Sequence, residues 1–201
     1  MDRKRTHDRA QAHTLESFTA ALLIVSAVVF SLQATAVTPL TASTSNQHIE
    51  NQEEATADGL LSVTADDGRL REAVLYWNET EEQFAGSNDD GIYANGGPPN
   101  AFGTVLNETF GNVTSSDGRI AYDVFVSYRL PNNETRRKTM VYMGSPSDNA
   151  VVATRTVTLF DEDGLTSSGG GTVDGSFYAP DAAPNARLYN VLEVRIVVWK
   201  M

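Results

Sequence analysis

The chain has 201 residues, no cysteine, 15 basic and 26 acidic side chains, and a formal net charge of −11. The missing cysteine excludes disulfides, thiol catalysis and thiolate metal sites. The first ten residues hold four of the basic and two of the acidic side chains, which leaves 11 minus 24, or −13, for the remainder. With no basic patch beyond Arg136-Arg137-Lys138, that balance argues against nucleic acid as a partner.

Three lysines (Lys4, Lys138, Lys200) stand beside twelve arginines. A strongly acidic, lysine-poor surface suits a halophilic setting, where carboxylates hold a hydrated, cation-rich shell and long-range repulsion is screened.

Residues 1–10 form a short basic leader, with Arg3, Lys4, Arg5 and Arg9 against Asp2 and Asp8. From Ser17 to Ile49 there is no Asp, Glu, Lys or Arg, and residues 17–37 are apolar enough to read as a transmembrane helix. At about 1.5 Å per residue this stretch spans roughly 30 Å of hydrocarbon. Its apolar residues lie on all sides of the helix, and in lipid a helix alone satisfies its own backbone. No Lys or Arg follows until Arg69, so the positive-inside bias puts the N-terminus in the cytoplasm and the chain beyond Pro39 outside. The localisation expected is a single-pass protein of the cell membrane with an extracellular C-terminal domain and the lipid bilayer as its first partner.

Three processing outcomes are open at this segment. It is an uncleaved signal anchor, or a secretory signal peptide cut after the A-x-A site Ala34-Thr35-Ala36, or a class III leader removed ahead of the helix. Arg9-Ala10-Gln11-Ala12 resembles the archaeal prepilin pattern of a basic residue, then Gly or Ala, then the cleavage point. The resemblance implies a cut between Ala10 and Gln11 by a prepilin-type peptidase. It also implies an assembly role for Glu16 as counter-charge to the free α-amino group of a neighbouring pilin-like subunit. Glu16 would then be the sixth mature residue, where the pattern has its acid at the fifth.

Residues 38–66 read as a polar stalk. Pro39 is expected to kink or end the apolar helix, and Ile49, Leu60 and Leu61 give the helical continuation a thin apolar face. Residues 67–201 form the extracytoplasmic domain. Asp66-Asp67-Gly68 is a break, after which Leu70, Val74 and Trp77 share one helical face. Gly86–Pro99 is rich in Gly, Asn, Asp and Pro and reads as a surface loop, and 101–110 as a short helix. Ile120, Tyr122, Val124, Val126 and Tyr128 then alternate with period two, giving a strand with one apolar face. Further strands are predicted at Thr139–Met143, Ala150–Phe160 and Tyr189–Trp199, with a loop at Asp161–Asp174. The fold class is α+β: an N-terminal transmembrane helix with a helical stalk, then a helix packed on an antiparallel meander of about four strands.

Candidate chemistry is sparse. His7, His13 and His48 all fall in the leader and stalk, which leaves Ser/His triads and His-based metal sites unsupported. Asp161-Glu162-Asp163-Gly164 resembles part of a calcium loop without its terminal Glu, and with Asp89-Asp90-Gly91 reads as a solvated turn. Neither catalytic residues, nor a metal, nor a cofactor is expected. Four N-x-Ser/Thr sequons, at Asn78, Asn107, Asn112 and Asn133, lie on the outer side near turns and are candidate glycosylation sites. Trp77, Trp199 and the tyrosines are expected to fill the helix–sheet core rather than to form a binding platform.

Membrane helix, polar continuation and compact antiparallel sheet resemble the plan of type IV pilins and pseudopilins. The chain also looks like a set of haloarchaeal membrane-anchored proteins of unassigned activity, on Arg-Ala-Gln-Ala-His-Thr-Leu-Glu16, Leu75-Tyr-Trp-Asn78, Gly144-Ser-Pro-Ser-Asp-Asn-Ala-Val151 and Leu188-Tyr-Asn-Val191. The pilin-like plan implies a cell-surface subunit of an envelope assembly, and the second resemblance a context and not a reaction. With the sparse candidate chemistry, the expected function is non-enzymatic. The alternative is an anchored ectodomain that acts as a binding or accessory module without polymerising.

Overall fold

In the computed structural model the backbone is described for residues 3–94, 96–111 and 119–201, and the side chains for 15–32 and for those same ranges from 47 onward. The chain divides into two compact units, Met1–Ile49 and Glu50–Met201. Residues 50–66, assigned from sequence to the stalk, therefore group with the second unit.

Helix α1 runs from Arg3 to Asp66. Pro39 does not end it. A proline inside a helix removes one backbone hydrogen bond and costs about 3 kcal/mol, and the remaining turns carry the helix past it. In the second unit Ala57, Leu60, Leu61 and Thr64 are buried at helical spacing. The Thr64 hydroxyl donates to the Leu60 carbonyl at 2.8 Å, so the one polar member of that stripe is satisfied within its own helix. Of the thin apolar face expected of the stalk, Leu60 and Leu61 are thus part of the domain core, whereas Ile49 belongs to the first unit.

The break falls where the sequence places it. Gly68 takes a left-handed conformation at φ 84°, which favours glycine, and Asp67 accepts from the Arg69 backbone N–H at 3.1 Å. Helix α2 (Arg69–Val74) buries Leu70, Ala73 and Val74. It stops short of Trp77, which opens a small hairpin, β1 (Trp77–Asn78) with β2 (Gln83–Phe84), instead of extending the helical face.

The following loop is not all surface. Tyr93 is buried, its hydroxyl donates to the Ala85 carbonyl at 2.7 Å, and its backbone bridges Val141. Helix α3 (Ala101–Leu106) continues into a π-helical turn, Asn107–Gly111. Asn100 caps it by accepting from the N–H groups of Phe102 and Gly103. Gly103 is required there, because a Cβ would stand 1.9 Å from the Pro98 carbonyl oxygen.

The main sheet comprises β3 (Ile120–Arg129), β4 (Thr135–Val141), β5 (Val151–Phe160) and β6 (Leu188–Lys200). Its order is β4-β3-β6-β5, with every neighbouring pair antiparallel. Four antiparallel strands are as expected, but a meander is not. The strand latest in sequence is inserted between β3 and β5.

Tyr122, Val124 and Val126 of β3 and Leu192, Val194, Ile196 and Val198 of β6 join α1, α2, α3 and the Trp77 hairpin in one core. On the opposite face Ala121, Val197 and Trp199 form a second, smaller cluster with Phe125, Met143, Ala150 and Val152 against it. Trp77 therefore fills the main core as expected, whereas Trp199 packs on the other side of the sheet. The strand predicted to have one apolar face is in fact buried on both over much of its length.

Candidate functional site

Within α1, Leu15–Leu32 is long and apolar enough to cross a membrane, with a mean hydropathy of 2.0 and none of it buried. Phe18, Leu22, Ile24, Val25, Val29 and Phe30 are between 47% and 74% exposed. An exposed apolar stretch of this length fits a membrane span or a signal sequence. Glu16 sits exposed at its head, and the Thr19 hydroxyl donates back to the Glu16 and Leu15 carbonyls at 2.9 and 3.0 Å. Ala10 and Gln11 lie in helical backbone of α1, and their side chains are outside the described residues.

The sequons occupy different surroundings. Asn78 is half-buried in β1, and its side-chain oxygen accepts from the N–H groups of Thr80 and Glu81 at 3.0 and 3.3 Å. Asn107 closes α3, accepts from the Tyr122 hydroxyl at 3.4 Å, and sets its amide against Gly96. Asn133 is exposed in the turn between β3 and β4 at φ 66°. Asn112 lies outside the described residues.

The acidic turn after β5 is more structural than solvated. Asp163 pairs with Arg71 and accepts from the Phe160 N–H at 2.8 Å. Arg71 also donates to the Thr158 carbonyl at 2.9 Å, so this cluster ties α2 to the end of β5. Glu162 pairs with Arg187, and hydrogen bonding from its own backbone and from that guanidinium holds its carboxyl below the ordinary value. At Asp89-Asp90-Gly91 the Asn88 side chain accepts from the Asp90 and Ile92 N–H groups, which makes it a closed turn. Among the described residues no three His, Asp or Glu side chains converge as a metal site.

One cleft was not visible in the sequence. It is open, holds about 360 Å³, and is lined by Trp77, Glu82, Tyr128, Lys138, Phe177 and Tyr178 among others. Its polar groups are largely committed to the fold. The Lys138 ammonium lies 5.0 Å from the centroid of the Trp77 ring. The Trp77 indole N–H donates to the Ser176 carbonyl at 2.7 Å, and the Tyr178 hydroxyl to the Val74 carbonyl at 3.1 Å. Burial pushes the Tyr178 phenol well above its ordinary range. No pattern in the chain foretells this cleft, because its walls come from separate segments that only the tertiary fold assembles. His48, the histidine whose side chain is among the described residues, is exposed on α1 in the first unit.

Comparison with known proteins adds one finding. The model of DUF7288, a family of unknown function, matches residues 9–198 of the chain. No curated protein and no solved structure matches it.

Proposed function

The chain belongs to that family of unknown function, and from this premise we propose that it is a non-enzymatic, single-span membrane protein, a type IV pilin-like or pseudopilin-like subunit displayed on the cell surface. One observation carries the reading: the uncovered apolar stretch Leu15–Leu32 and the core-forming turns Ala57–Thr64 belong to a single helix, α1. A subunit of this kind is held in the bilayer by the apolar stretch until assembly. Assembly then moves that stretch from lipid into a bundle of like helices, where packing of exposed side chains such as Phe18, Leu22 and Val25 replaces lipid contact.

Arg3, Lys4, Arg5 and Arg9 ahead of the span favour a cytoplasmic N-terminus. Arg9-Ala10-Gln11 supports peptidase processing before the helix, and Glu16, the sixth residue after that cut, supplies a carboxylate at the head of the apolar stretch.

The mass of the mature N-terminus is the deciding measurement. A chain beginning at Gln11 is expected, together with its recovery in sheared surface filaments and loss of incorporation in Glu16→Gln. A chain beginning at Val37 would sink the membrane-held subunit outright. The placement of Glu16 one residue beyond the pattern favours a second reading, an anchored ectodomain that binds a neighbouring protein without polymerising. An unprocessed N-terminus with a membrane pool indifferent to Glu16→Gln would favour it.

A further inference from the structure

The structure separates the sequons that the sequence leaves equivalent. The loop from Leu130 to Glu134 joins β3 to the edge strand β4, and it is closed by backbone hydrogen bonds from Leu130 to Glu134 at 2.8 Å and from Asn133 to Leu130 at 2.9 Å. Asn133 occupies the left-handed position of this hairpin, a conformation that asparagine tolerates. Asn132 turns its side chain inward, accepting from the Glu134 N–H at 3.0 Å. The Asn133 side-chain amide makes no hydrogen bond among the described residues, and both Asn133 and Thr135, the third residue of its sequon, are exposed.

The other described sequons are tied into the fold through their side-chain oxygens. Joining a sugar to the amide nitrogen requires space around it and a side chain that can turn outward. Asn107 is exposed but stands in helical backbone where α3 passes into the π-helical turn, its side-chain oxygen accepts from the Tyr122 hydroxyl at 3.4 Å, and its amide lies against Gly96. At Asn78 the side chain is half-buried and fixed by the two N–H groups it caps.

We propose that Asn133, at the tip of the β3–β4 hairpin, is an N-glycosylation site and the occupied one of the three described sequons. The donor class is a saccharide carried on a lipid phosphate. The Asn133 Nδ2 forms a bond to the anomeric carbon while the bond from that carbon to the phosphate oxygen breaks. The carrier phosphate leaves with the bonding pair, and the displaced amide proton passes to base. This inference rests on the external placement of the domain proposed above.

The test uses the whole protein isolated from the membranes of its own cells, with protease added to intact cells as a parallel measure of placement. The tryptic peptide Leu130–Arg136 is expected to carry a saccharide mass. Asn78, Asn107 and Asn112 share the tryptic peptide Glu72–Arg119, so a second digestion with chymotrypsin, cutting at Phe84, Phe102 and Phe110, separates them. The fragments holding Asn78 and Asn107 are expected to carry none. The added mass is lost in Asn133→Gly, which keeps the left-handed backbone, and in Thr135→Ala, which leaves Asn133 in place. It is retained in Thr135→Ser. A bare Leu130–Arg136 peptide in protein that external protease cleaves overturns the site alone. Protection of the domain in intact cells, with a bare peptide, overturns the external placement and the site together. Saccharide on Asn78 or Asn107 with Asn133 bare overturns the selection made by the hairpin.

Discussion

Asp123 is buried on the face of β3 that carries Ala121 and Phe125, and its side chain accepts from the Met143 N–H at 2.8 Å. Burial raises its carboxyl above the ordinary 3.8, and the backbone N–H groups of Met143 and Gly144 pull it partly back. Because the folded-state value is the higher one, the folded chain takes up this proton first. The site's cost to stability is therefore fully present above the folded value and is relieved as pH falls through it toward 3.8. Against Asp123→Asn, which cannot titrate, the wild type is expected to gain relative stability between pH 7 and pH 4 in urea unfolding. A difference that stays constant over that range would sink this account. The sequence shows Asp123 as one polar member of an alternating strand. It does not show that the Met143–Ala150 segment folds back to bury it, because that contact joins residues with no shared periodicity.

At the scale of elements, α1 was legible as apolar span and polar continuation, but its role in the core was not. Four residues at i, i+3, i+4 and i+7, one of them threonine and one alanine, make a weak apolar signal, yet they seat the helix in the domain. Leu61 is fully buried and Val63 is 57% exposed. Leu61→Ala is expected to cost about 2–5 kcal/mol, and Val63→Ala less than about 0.5 kcal/mol, measured by urea unfolding of the whole chain in detergent. Equal losses would mean that this turn is not docked. The start of β4 was missed for a related reason. Thr135, Arg136 and Arg137 are exposed on an edge strand, where charge takes the place of an apolar pattern and guards the open edge. Arg137 covers Phe125 with its guanidinium carbon 4.5 Å from the ring centroid, so the same charge also shields apolar surface. β6 announced itself as strand through Val191–Trp199. Its central place is recorded only in the apolar residues of both parities near its end, Val197, Val198 and Trp199.

For the molecule as a whole, the surplus of 13 acidic charges beyond the first ten residues sets the response to salt. Like charges spread over one domain repel, and raising ionic strength from 0.1 M to 1 M shortens the screening length from about 10 Å to about 3 Å. The thermal midpoint is expected to rise across that range of sodium chloride, and a midpoint that falls or stays level would remove the charge argument. Of the functional features, the apolar stretch Leu15–Leu32 was legible because composition alone defines it. The aromatic cleft and the difference between Asn133 and its sister sequons were not, since each depends on which distant backbone lies beside a side chain.

The order β4-β3-β6-β5 bears on when such a domain can close. β3 and β4 can pair as soon as both exist, but β5 has no partner in the sheet, and β3 only one, until the stretch from Leu188 onward is available. Under the proposed topology the domain crosses as an open chain and closes only when its central strand has arrived. Completion of transport is then the trigger for folding. A chain stalled before Leu188 leaves open the two edges that β6 covers in the finished sheet, the state that proteases and aggregation both select.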